Sequence, residues 1–235
     1  MRKHRVRYAP LLIWLGDPLM RILDTGVRVL PQRHWGGRER GIYRSLHGLS
    51  IRIDADGVLV LPRFAGRTLA SLLADPEFDE STRKEAIERA VVALAEFHRL
   101  GFTHGDAMAE NVLVDLAPRR CPMRPEHSSN GDGLARWLDF ETIHDPRRPM
   151  AWRRADDVRA LLVTCLVRTV PEKRAETLDL ILNVYDDPEV IRLLAASFTS
   201  VWRRPLMFHL AQAGLSYQSV KELARCLSAR APESQ

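Results

Sequence analysis

Four short polar segments hold the residues best suited to chemistry. Gly101-Phe102-Thr103-His104-Gly105-Asp106 runs on through Ala107-Met108-Ala109-Glu110-Asn111 into the apolar Val112-Leu113-Val114. Arg136-Trp137-Leu138-Asp139-Phe140-Glu141 follows, and then Arg154-Ala155-Asp156-Asp157-Val158-Arg159. Carboxylate and amide oxygens are the hard ligands that magnesium takes, and one or two suffice where phosphates complete the shell. A placed carboxylate also accepts or orients the proton of a hydroxyl. Singly, each of these residues is more simply a loop or cap carboxylate. The ordered set is the informative feature: Asp-x4-Asn, an apolar strand, apolar-Asp-Phe, then Asp opening a helix.

The flanking pattern predicts elements able to position them. Short apolar runs at 11–15, 19–23 and 27–30, separated by Gly/Asp/Pro turns, read as a β-meander. A short helix fits 38–47, and strands 51–54 and 58–61 flank the hairpin signal Asp56-Gly57. Helices are predicted over 68–74 and 82–100, the second opened by a Thr82/Glu85 capping box and closed at Gly101. Residues 117–134, rich in Pro, Gly, Ser and Arg, read as a flexible loop. Asp156 is expected to cap a buried helix through Leu166, and three helices follow at 172–184, 188–201 and 219–229, with Pro188 in a first turn and a Ser219/Glu222 capping box.

Taken in order, these residues resemble the protein-kinase-like superfamily. His104-Gly105-Asp106 with Asn111 is similar to the catalytic loop of its HGD-type members: aminoglycoside phosphotransferases, RIO-type kinases and bacterial lipopolysaccharide-core (Kdo) kinases. Asp139-Phe140-Glu141 resembles the metal-binding segment, and Asp157 the buried Asp that anchors the catalytic loop, with His104 in support. The likeness is firm over residues 58–170, weak before and absent after. It implies an α+β, two-lobed fold: a truncated β-rich N-lobe over 1–62 and a helical C-lobe over 63–235, together one domain. It implies ATP and Mg as cofactors, Asn111 and Asp139 on the metal, and Asp106 toward the attacking hydroxyl. Phosphoryl transfer has a loose transition state, so positioning and charge neutralisation dominate. The segment Val58 to Leu69 resembles the strand and linker on which adenine stacks, placing Leu61 and Arg63 at the nucleotide.

The pattern departs from the family in several places. No GxGxxG precedes the strands; Gly16-Asp17-Pro18 is the one turn placed to cover phosphates. No Lys lies between Lys3 and Lys84, so Arg28, with Arg21 and Arg33 as rivals, is the expected phosphate-binding cation, and Glu39 its partner. Gly105 and Met108 stand where regulated protein kinases carry Arg and Lys, and only 18 residues separate Asp139 from Asp157. Glu141 replaces the Gly after Asp-Phe and adds a carboxylate near the metal. The basic insertion (Arg119, Arg120, Arg124) reads as a surface loop, with contact to an anionic partner as the alternative. Cys121 and His127 are too few for zinc. His98, His144 and Trp152-Arg153-Arg154 read as packing or capping residues.

Composition bounds the rest. The chain has 235 residues, 46% hydrophobic and 28% charged, a globular balance that excludes disordered, collagenous and coiled-coil classes. Thirty-five basic and thirty acidic residues leave a net charge of only +5, weak support for nucleic-acid binding, and no aromatic interleaving accompanies it. Three cysteines at unrelated spacings form no disulfide framework, pointing to a reducing, cytoplasmic compartment. No 18-residue apolar run is present. Arg2, Lys3, Arg5 and Arg7 read as a basic tail entering a strand, with peripheral attachment to an anionic inner-membrane surface as the alternative. The expected function is transfer of the ATP γ-phosphoryl group to a hydroxyl of a protein Ser/Thr or a lipopolysaccharide sugar. The competing reading is a partner-binding pseudokinase, motivated by the missing lysine and Gly-rich loop.

Overall fold

The computed structural model describes residues 2–3, 25–54, 58–116, 135–199 and 216–230. It is a mixed α+β structure in which helices hold about 60% of the described residues and the sheets are small and antiparallel. The expected strands at 11–15 and 19–23, the turns at 16–18 and 55–57 and the insertion at 117–134 lie outside the described residues.

Strand β1 (Arg2–Lys3) pairs with β4 (Leu59–Val60), which pairs in turn with β3 (Arg52–Ile53). Strand β2 (Val27–Val29) leads through Pro31 into helix α1 (Gln32–His47), which begins six residues before the expected 38 and ends on Gly48 in the left-handed conformation. Proline needs no N–H donor, so it suits the residue before a first turn. Strand β5 (Arg67–Thr68) opens helix α2 (Leu69–Ala74), and Thr68 Oγ1 caps it by accepting from Ser71 N at 3.2 Å.

Helix α3 (Glu80–Arg99) buries Ala86, Ile87, Ala90, Val91, Leu94, Phe97 and His98, one stripe at helical spacing. Its N-cap is Asp79, three residues before the expected cap Thr82, and Asp79 accepts from Thr82 N at 2.7 Å. Strands β6 (Val112–Val114) and β7 (Ala135–Trp137) pair antiparallel, with β5 on the outer side of β6. Strand β8 (Thr142–His144), which the apolar pattern did not signal, pairs with β2 in the register Val27↔His144 and Val29↔Thr142.

Helix α4 (Met150–Val167) starts well before Asp156, so that residue does not cap it; Asp156 and Asp157 are buried inside the helix, 2% and 1% exposed. Two adjacent acids near an apolar run look like a cap, but here both face buried histidines. Helices α5 (Arg174–Tyr185), α6 (Pro188–Thr199) and α7 (Tyr217–Arg230) complete the structure, and Ser216 rather than Ser219 caps α7. Helix α4 packs on α6, α3 on α5, and α6 on α7. A single hydrophobic core joins the apolar faces of the helices to the strands. Among the described residues no helix is long and apolar enough to cross a membrane.

Candidate active site

The loop between α3 and β6 carries Asp106 and Asn111, and its shape is set from below. Asp157 accepts from His104 N at 2.7 Å, from Gly105 N at 2.8 Å and from His98 Nε2 at 3.0 Å. Burial would push its carboxyl up, but the neighbouring His144 and the hydrogen bond from His98 outweigh it, and the group stays well below the usual carboxylate range. Thr164 Oγ1 takes Ala109 N at 3.0 Å, so α4 grips the loop at a second point. His104 is fully buried. Its Nδ1 faces Asp106 N at 3.3 Å and its Nε2 faces Leu138 O at 2.8 Å, and burial pushes its pKa down to about 4. A neutral ring therefore braces the loop against the strand that ends at Asp139.

Gly105 stands where a side chain has no room. Its φ is +82°, and an added Cβ would lie 3.2 Å from the backbone of Ile143. The chain after Asp139 thus lies directly on the loop, tied also by Thr142 Oγ1 to His104 O at 3.3 Å. Pairing with β2 and the bond from Asp145 N to Gly26 O at 2.8 Å hold that segment extended.

Asp106 and Asn111 meet above the loop. The Asn111 amide nitrogen donates to Asp106 O at 2.8 Å and to Asp106 Oδ2 at 3.0 Å. With the nitrogen so committed, the amide presents its oxygen as the remaining ligand. Asp106 Oδ1 is buried without a hydrogen-bond partner. Burial pushes the Asp106 pKa up to about 6; the bond from Asn111 opposes this and the charge of Asp139 adds to it. Leu138 N donates to Asn111 O at 2.8 Å, which draws the end of β7, and with it Asp139, to the same place. Asp139 holds φ at 63°, rare for a residue with a side chain.

Among the described residues, Lys3 brings a cation to the site. Its ammonium lies 2.6 Å from Glu39 Oε1, 2.8 Å from Asp139 Oδ1 and 3.6 Å from Glu141 Oε1. Burial would lower its pKa, but Glu39 and Asp139 outweigh this and raise it. Glu39, with no exposed surface, also accepts from Trp35 Nε1 and Phe140 N, each at 3.1 Å. Helix α1 is thereby bonded both to the ammonium and to the segment carrying Asp139. Behind them Tyr43, Phe140 and His104 form a buried aromatic column, with ring centroids 5.5 and 5.0 Å apart.

The expected pairing of Arg28 with Glu39 is not formed. Arg28 lies on β2 and pairs with Asp145 Oδ2 at 2.7 Å, and the partner of Glu39 is Lys3. Lys3 sits in a run of basic residues that reads as a tail. The signal that could have found it is its scarcity: it precedes Lys84 with no lysine between. Leu61 is buried in the core at the end of β4, and Arg63 is exposed just beyond it. Arg21 and Gly16-Asp17-Pro18 lie outside the described residues; Arg33 lies in α1, its side chain not described.

These donors suit one magnesium ion shared with phosphates. Asp139 supplies a carboxylate whose side chain is 45% exposed and Asn111 an amide oxygen, hard ligands both. Among the described residues no group of three or more His, Cys, Asp or Glu side chains is arranged to hold a metal by itself. An ion held by one carboxylate and one amide would take its remaining ligands from a bound anion and water. No family model, curated protein or solved structure matches this chain.

Proposed function

We propose that this chain is an ATP- and magnesium-dependent phosphotransferase of the atypical kinase-like type, acting on a hydroxyl of a protein Ser/Thr or a lipopolysaccharide sugar. One observation carries the reading: Lys3, Glu39, Asp106, Asn111 and Asp139, drawn from four separate parts of the chain, gather around one loop and its neighbouring segment. Magnesium held by Asp139 and Asn111 would neutralise charge on the transferring phosphoryl group. The Lys3 ammonium, fixed by Glu39, is placed to meet phosphate oxygens. Asp106 orients the acceptor hydroxyl and takes its proton through the carboxylate oxygen that Asn111 leaves unbonded. Lys3 would take the place of the lysine whose absence motivates the pseudokinase reading, which then rests on the missing Gly-rich loop alone.

The test is a thermal melt with and without Mg-ATP. A ligand at about a hundred times its Kd contributes about 2.7 kcal/mol. At about 2–4 °C per kcal/mol for a chain of this size, that raises Tm by about 5–10 °C. Asp139→Asn removes the shift. An unchanged Tm at millimolar Mg-ATP counts against nucleotide binding.

A further inference from the structure

A buried chain of hydrogen bonds reaches the candidate loop from the far side of the helical layer. Tyr185, the last residue of α5, places its hydroxyl 2.6 Å from His98 Nδ1. His98, on α3, places Nε2 3.0 Å from Asp157 Oδ2. Asp157, on α4, receives the amides of His104 and Gly105. The three side chains are 7%, 2% and 1% exposed as residues. A carboxylate only accepts, so His98 Nε2 carries a proton, and in the neutral tautomer Nδ1 accepts from the phenol. Arg154 Nη2 holds the His98 carbonyl at 2.9 Å, fixing the backbone from which the ring projects.

Asp, His and a hydroxyl in line have the makings of a nucleophile triad, but the phenol is buried, and burial pushes its pKa up, away from ionisation. The direction of use is inward. Without the phenol, a buried imidazole nitrogen loses its donor and the ring loses the preference that presents Nε2–H to Asp157. Asp157 then keeps one amide on each carboxylate oxygen but loses the firm hold of its third donor, which shares Oδ2 with the His104 amide, and Gly105 is held in a left-handed conformation through the amide on Oδ1. We infer that Tyr185, acting through His98 and Asp157, is a positioning residue for Asp106, and the inference rests on the phosphotransferase reading above. A placement error of about 1 Å at a reacting group costs about a hundredfold in rate. Removing only the outermost bond of the relay is therefore expected to cost about tenfold.

The experiment compares wild type, Tyr185→Phe, His98→Gln and the double variant in steady-state Mg-ATP turnover, together with amide hydrogen exchange at residues 103–106. Gln keeps an N–H for Asp157 but ends the link to Tyr185. The expected result is a roughly tenfold lower kcat for Tyr185→Phe, KM for ATP within twofold, and faster exchange at Gly105. The double variant is then no slower than the slower single one, because both changes break one relay. A kcat within twofold of wild type for Tyr185→Phe, or losses that multiply in the double variant, overturns the inference and leaves the phosphotransferase reading standing. Wild type with no phosphoryl transfer defeats that reading instead. The exchange data then decide the relay alone: faster exchange at 104–105 in Tyr185→Phe supports it, and unchanged protection overturns it.

Discussion

Lys3 and Glu39, thirty-six residues apart, meet at 2.6 Å, and the carboxylate has no exposed surface. Removing one partner of such a pair leaves a buried charge uncompensated, which costs about 3–5 kcal/mol. Lys3→Met is therefore expected to lower the urea unfolding free energy by about 3 kcal/mol, the low end because Lys3 itself is 17% exposed. The double variant Lys3→Met/Glu39→Gln recovers much of that stability and none of the phosphoryl transfer. Recovery of activity in the double variant would show that the ammonium is not needed at the phosphates. Arg28→Ala, which breaks only the pair with Asp145, leaves turnover far closer to wild type.

Gly105 supplies a second prediction. Alanine there must adopt φ of +82° and set its Cβ 3.2 Å from the Ile143 backbone. The left-handed conformation alone costs about 1–2 kcal/mol. Gly105→Ala is expected to lower Tm by about 2–8 °C, at about 2–4 °C per kcal/mol. The segment from Thr142 to His144 should show faster amide exchange with it, because it packs on this glycine. An unaltered melt would mean that the segment after Asp139 does not rest on the loop.

The buried histidines make stability depend on pH. Burial pushes His104 and His47 down to about 4 from 6.5, and His144 is lowered by the same cause. The unfolded chain therefore binds more protons than the folded one between about pH 6.5 and 4, and stability falls as pH falls through that window. Each group contributes at most about 1.4 kcal/mol per pH unit there. Asp106, raised to about 6, works the other way, but it stands alone against three. Urea midpoints at pH 7.5, 6 and 5 should decrease in that order, and His47→Phe should flatten the slope. A midpoint constant from pH 7.5 to 5 would contradict burial of these rings.

Local spacing made the loop legible. Asp106 and Asn111 lie five residues apart, and the apolar strands beside them read clearly. Helices α3 and α5 follow from stripes such as Ile87, Ala90, Val91 and Leu94. Long-range pairing was not legible in the same way. Lys3 reaches Glu39 and Asp139 through a two-residue strand, too short for any periodic signal. Asp156 reads as a cap because acids favour first turns, and its partner His144 is 12 residues away; Asp157 reads as an anchor only through the family resemblance, and its partner His98 is 59 residues away. His98 read as packing because one histidine on an apolar face says nothing of the carboxylate facing it. Strand β8 carries no sequence signal because Thr142-Ile143-His144 alternates too briefly, and its pairing with β2 completes it.

The most direct test of the central claim is single-turnover transfer or hydrolysis of γ-labelled ATP with magnesium, comparing wild type with Asp106→Asn. Asparagine is nearly isosteric and keeps a partner for Asn111 but cannot take a proton. The account predicts measurable magnesium-dependent release or transfer of label by wild type. It also predicts a loss of about a hundredfold or more in Asp106→Asn, with Mg-ATP binding retained. Equal rates in the two proteins, or a wild type that binds Mg-ATP yet never moves the label, would contradict it.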